Sequence, residues 1–86
     1  MSKEIVLVGD GTDHDGTVVT GSDTDMIDGK PMARIGDLVD CPKHGLNKII
    51  EGDPAITIDG IPVAVTNCKT ECGSRLKGSG DPVGSD

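Results

Sequence analysis

Apolar residues fall along this chain in short clusters, mostly Val and Ile, broken by Gly, Pro, Asp and Ser. Ile5-Val6-Leu7-Val8, Val18-Val19, Ile49-Ile50 and the Val63-Ala64-Val65 group are the clearest. No window repeats them at the period of a helix. The pattern predicts short strands over residues 4–8, 17–20, 24–28, 31–35, 47–51, 55–59 and 62–66, with a further one over 74–77. Two stretches, "MIDGKPM" and "TIDGIPV", set Asp-Gly between apolar residues. Each predicts a hairpin closed by a type I′ turn. Pro31 and Pro62 carry no N–H for a ladder and suit edge positions. After Leu76 the chain reads "KGSGDPVGSD", which on composition is flexible. The organisation expected is one all-β domain over residues 1–78 and a tail over 79–86, flexible or docked as a strand on a partner.

The clusters repeat. "TVVTGSDTDMIDGKPMARIGDLVDC", from Thr17 to Cys41, lies over "KIIEGDPAITIDGIPVAVTNCKTEC", from Lys48 to Cys72. Gly21/Gly52, Asp28/Asp59, Gly29/Gly60, Pro31/Pro62, Ala33/Ala64 and Cys41/Cys72 are identical pairs. A third copy is divided between the ends. "IVLVGDGTDH" aligns with "MARIGDLVDC", and "GSRLKGSGDPV" with "GTVVTGSDTDM". A tail that begins the unit completed by the head predicts a closed, pseudo-three-fold body, where an open solenoid would stack whole repeats.

Composition makes a staple necessary. The 86 residues include no Phe, Tyr or Trp, and 13 are Gly. So small a core without aromatics buries little area, and its glycines cost entropy on folding. A metal, a disulfide or a partner must supply the difference. Three cysteines is an odd number, which argues against a closed disulfide framework. The net charge of −7 opposes nucleic-acid binding and an electrostatic membrane anchor. The apolar run of residues 5–8 is too short for a signal peptide, so synthesis in the cytoplasm without classical export is expected.

The repeat carries the candidate chemistry. Gly9-Asp10 precedes His14, Gly36-Asp37 precedes Cys41 at the same spacing, and Asn67-Cys68 precedes Cys72. Three equivalent arms that each deliver a His or a Cys point to one shared metal. Cys41 and His44 form a C-x2-H chelating pair, and with His14 and Cys72 they make a Cys2His2 set suited to one structural Zn2+. Cys68 takes the place of Asp10 and Asp37 in the third arm. The residues alone leave open that Cys68 is the alternative ligand, with His44 outside the site, or that Cys68 pairs with Cys72 in a disulfide. Asp10 and Asp37 themselves are expected to tie down turns. The Asp-rich stretches do not match a Ca2+-binding loop, "GSGDPVGS" lacks the ending of a phosphate-binding loop, and no catalytic constellation stands out. The chain reads as a non-enzyme.

These motifs resemble the proline-alanine-alanine-arginine (PAAR) repeat family. "KPMARIGD" carries its signature as Pro31-Met32-Ala33-Arg34, with "IPVAVTN" as a second copy. "GDLVDCPKHG", "ECG" and "TDHDGTVVTGS" resemble its cysteine and histidine landmarks, in order, over roughly residues 5 to 78. Val65-Thr66-Asn67-Cys68 stands where the family has Arg-x-Gly-Asp. The resemblance implies a small cone of short strands whose apex is pinned by zinc through His14, Cys41, His44 and Cys72. It implies that the base caps a trimeric VgrG-like β-helical spike of a type VI secretion system or a contractile phage tail. Effector cargo and transient contact with a target membrane are further implied partners, and nucleic acid is not one. The implied course runs from the cytoplasm before firing to the extracellular space or a target cell.

Overall fold

The computed structural model describes residues 4–80. Seven short strands are present among them: β1 (Thr17–Val18), β2 (Met26–Ile27), β3 (Lys30–Pro31), β4 (Leu38–Cys41), β5 (Gly45–Lys48), β6 (Asp53–Ile58) and β7 (Ile61–Val63), and there is no helix. β1, β4 and β5 form one antiparallel sheet in that order, while β2–β3 and β6–β7 are separate hairpins. Both hairpins turn at Asp-Gly as expected. Asp28 and Gly29 have φ of 53° and 79°, and Asp59 and Gly60 have 52° and 80°. Two successive left-handed residues match the strand twist, and Asp and Gly tolerate them.

The elements differ from the expected strands in two ways. β4 was not anticipated, although its alternation is regular, with Val39 and Cys41 buried and Asp40 exposed. The stretches 4–8 and 74–77 form no named strand. Their residues make isolated bridges, among them Ile5 with Val65, Leu7 with Met32 and Thr12 with Leu76. The cause is that successive residues pair with different neighbours, so no long ladder builds up.

One such exchange closes on itself. Ala33 N–H donates to Val6 O at 2.8 Å, Ala64 N–H donates to Ala33 O at 2.9 Å, and Val6 N–H donates to Ala64 O at 3.0 Å. The three residues are fully buried. Bridges from Leu7 to Met32, from Arg34 to Val63 and from Val65 to Ile5 run round the same circuit. The small Ala side chains leave room for three backbones to meet, and Ile5, Val18, Val39, Ile49 and Leu76 pack about them. The core is therefore aliphatic and arranged around a ring of peptide groups.

Each ring residue leads into a similar turn. Asp10 N donates to Leu7 O, Asp37 N to Arg34 O and Cys68 N to Val65 O, at 3.0, 3.0 and 3.1 Å. The third residue of each turn is left-handed: Gly9 at 97°, Gly36 at 94° and Asn67 at 77°. Asn is one of the few side chains that accept this region, so the third turn forms without a glycine. In the first two turns the aspartate folds back as expected. Leu7 N donates to Asp10 Oδ2, and Arg34 N to Asp37 Oδ2, both at 2.8 Å.

Residues 77–80 are held by hydrogen bonds, where composition alone predicts a flexible stretch after Leu76. Lys77 N donates to Gly11 O at 3.0 Å, and Ile5 and Gly80 exchange two backbone hydrogen bonds at 2.8 and 2.9 Å. Composition misled because the docking needs small residues: a Cβ on Gly78 would collide with the carbonyl of Glu4. The rest of the expected tail, 81–86, lies outside the described residues.

Candidate metal centre

The ligand-bearing loops follow the three turns along the chain. In the first, Thr12 N donates to Gly16 O and Asp15 N to Thr12 O, both at 3.1 Å, which lifts His14 onto the crown of a tight loop. In the third, Thr70 N donates to Ser74 O at 3.0 Å and Gly73 N to Thr70 O at 2.9 Å, with Cys72 at the crown. The second loop is longer. β4 and β5 pair from Leu38–Lys48 up to Cys41–Gly45 before turning. His44 N donates to Cys41 O at 3.2 Å within that turn. The extension explains why this arm alone presents two donors, Cys41 and His44.

His14, Cys41, His44 and Cys72 come together. One donor atom from each lies within 4.8 Å of the others. Cys41 Sγ is 3.5 Å from His44 Nδ1, and the two imidazole rings are 6.4 Å apart between centroids, tilted by 34°. Cys41 is buried, His14 and Cys72 are half-buried, and His44 is exposed. Cys68 is not in the group. It is buried as part of the hydrophobic core, and its backbone is hydrogen-bonded to Val65 and Leu76. All three cysteines are free, so the Cys68–Cys72 disulfide is absent.

These residues suit a metal ion. His14 Nδ1 is buried and has no hydrogen-bond partner. Such an orphan is costly in a polar-depleted interior, and a coordinated metal would satisfy it. Cys72 has thiolate character. Burial pushes its thiol up, but the Ser74 and Thr70 hydroxyls and the neighbouring Cys41 outweigh this and lower it to about 6. Two sulphur and two nitrogen donors are a tetrahedral, closed-site set. Asp10 and Asp37, in contrast, spend their carboxylates on turns.

Three residues around the site were not singled out by sequence. Asn47 Oδ1 accepts Cys72 N–H at 3.3 Å while its amide donates to Gly45 O at 3.1 Å, tying the second loop to the third. Thr70 and Ser74 flank Cys72 and place their hydroxyls 3.3 and 3.4 Å from its sulphur. Their signal was available only as position, two residues either side of a candidate ligand.

Among the described residues, no helix is long and apolar enough to cross a membrane. Comparison with curated proteins finds no match. Residues 8–78 match the PAAR motif, a span that contains all four gathered donors and all of the ring and its turns except Val6 and Leu7. The chain belongs to the PAAR-motif family.

Proposed function

We propose that this protein is the non-enzymatic, zinc-pinned tip of a trimeric β-helical spike, VgrG-like, in a type VI secretion system. Proteins of the PAAR family are structural components of such spikes, and the family match supports the same role here. The observation that carries the capping role is the closed circuit of hydrogen bonds through Val6, Ala33 and Ala64. A single chain built as three interlocked arms offers a pseudo-three-fold body to a three-fold partner, and exposed strand edges can pair across such a junction. The zinc is structural, because four protein donors leave no open coordination position. The tip is made in the cytoplasm and leaves with the spike, touching the target membrane in passing.

The test is the stoichiometry of a complex with a trimeric spike protein, read by light scattering after size-exclusion chromatography. One chain per trimer is expected, with metal retained. Binding of three chains per trimer would sink the capping model. A contractile phage tail uses the same module, so capping of a tail spike with no binding to a secretion spike would move the assignment there. Stable capture of effector proteins without any spike would instead favour a zinc-binding adaptor for cargo.

A further inference from the structure

We propose that Thr70 and Ser74 are positioning residues of the metal centre, whose hydroxyls together orient the Cys72 sulphur toward the ion. The inference rests on the metal reading above and adds to it the residues that shape one ligand.

Both side chains are almost wholly buried, Thr70 at 1% and Ser74 at 0% exposure. Buried hydroxyls persist where they find partners. These two lie 2.7 Å from each other and 3.3 and 3.4 Å from Cys72 Sγ. Thr70 N–H also closes the loop onto Ser74 O, so the hydroxyl pair sits on a rigid frame and not on a mobile side chain.

The histidine loop shows that this is not simply what the backbone requires. Thr12 occupies the place of Thr70 there, but its hydroxyl accepts the N–H of His14 at 3.2 Å and of Gly16 at 3.0 Å. Gly16 occupies the place of Ser74, and a Cβ on it would meet Asp40 O and Thr12 Oγ1, both at 2.9 Å. The His loop therefore has one hydroxyl, turned to the backbone. The Cys loop has two, turned to the donor atom. No hydroxyl reaches Cys41 Sγ among the described residues, where His44 Nδ1 is the neighbour instead. In the thiol form Cys72 Sγ donates to Ser74 Oγ. Once a metal replaces that proton, one hydroxyl of the pair donates to the other and the other donates to the thiolate. This fixes the sulphur's direction and shares its charge, tuning the bond it makes to a metal.

The test uses the full chain loaded with Co2+, whose thiolate charge-transfer absorption reports the sulphur ligands, and Zn2+ competition against a chromophoric chelator. Thr70→Val/Ser74→Ala is expected to lose about 10- to 100-fold in Zn2+ affinity, the usual scale for outer-shell partners, and to shift the charge-transfer band. Thr70→Ser, which keeps the hydroxyl, should retain both parental values. Ser74→Ala alone removes a single oxygen and should show the same shift in smaller measure if the double variant folds poorly. Parental affinity and an unshifted band in Ser74→Ala and in the double variant would overturn the proposal while leaving the metal centre intact. Absence of a thiolate band in the parent would overturn the metal centre and this inference with it.

Discussion

Ser79 is bound to Asp10 twice, although 69 residues separate them in the chain: its hydroxyl donates to Asp10 Oδ1 at 2.6 Å and its backbone N–H donates to Asp10 Oδ2 at 3.0 Å. The same Oδ2 accepts the N–H of Leu7. One carboxylate thus fixes the first turn and holds the segment around Ser79 against it. Asp10→Ala is expected to lower stability by about 1.5–3 kcal/mol, the range for hydrogen bonds to a charged acceptor. Hydrogen exchange should show the amides of Ile5 and Gly80 losing protection before those of the β4–β5 hairpin. Equal loss everywhere would mean that the carboxylate is not a local latch.

The metal centre predicts a large dependence of stability on the ion. Elemental mass spectrometry should find about one zinc per chain, and Cys41→Ser/Cys72→Ser should find none. Structural zinc contributes on the order of 10 kcal/mol of apparent folding free energy in small domains, so the double variant should melt far below the parent. Chelation of the parent should reproduce that fall. A variant that melts like the parent would remove the metal from the stability account.

Metal-free protein, kept below its own lower melting temperature so that it remains folded, should have one thiol that reacts ahead of the others. Cys72 is lowered to about 6, whereas Cys41 and Cys68 are buried. The sign follows from the direction of the shift: the thiolate is present above about pH 6 and protonates as pH falls through that value. Alkylation followed by peptide mass spectrometry should show Cys72 labelled first at pH 7, with a rate that declines below pH 6. A rate midpoint near the ordinary thiol value would contradict the hydroxyl and thiol contacts as its cause.

Asn67 tests the third turn. Its φ of 77° is tolerated by Asn, free for Gly and strained for a β-branched residue. Asn67→Gly should unfold at a denaturant concentration no lower than the parent, and Asn67→Val should lose about 1–3 kcal/mol. Equal midpoints for the two variants would show that the turn relaxes.

What could be read in the sequence was whatever depends on neighbours in the chain. Asp28-Gly29 and Asp59-Gly60 specify their turns because two adjacent residues set both dihedral pairs. His14, Cys41, His44 and Cys72 stood out because their spacing recurs after each turn motif. What depends on packing was harder. β4 is hidden because it is four residues long and only Val39 and Cys41 mark its buried face. In the third arm the residue-by-residue match sets Leu76 against Val19, one residue out of step, whereas in the fold it stands in the place of Val18. Leu76 O accepts Asn67 N–H as Val18 O accepts Gly9 N–H, and both side chains are buried while Val19 is exposed. Leu76 carries no marker of its register until its neighbours do. Cys68 is ambiguous for the same reason, since only the packed structure shows that it belongs to the core and not to the donor group.

The ring through Val6, Ala33 and Ala64 sets an order of events during synthesis. No arm can complete its pairing alone, because each peptide group in the circuit needs one from another arm, and Ile5 must wait for both Val65 and Gly80. Contacts so distant in sequence slow folding, and Ile5 has no Gly80 to pair with until residue 80 has left the ribosome. The hairpins form early and locally. Cys41 and His44 meet inside one hairpin, but His14 and Cys72 come from the other two arms, so a complete set of four donors reports that all three arms have come together.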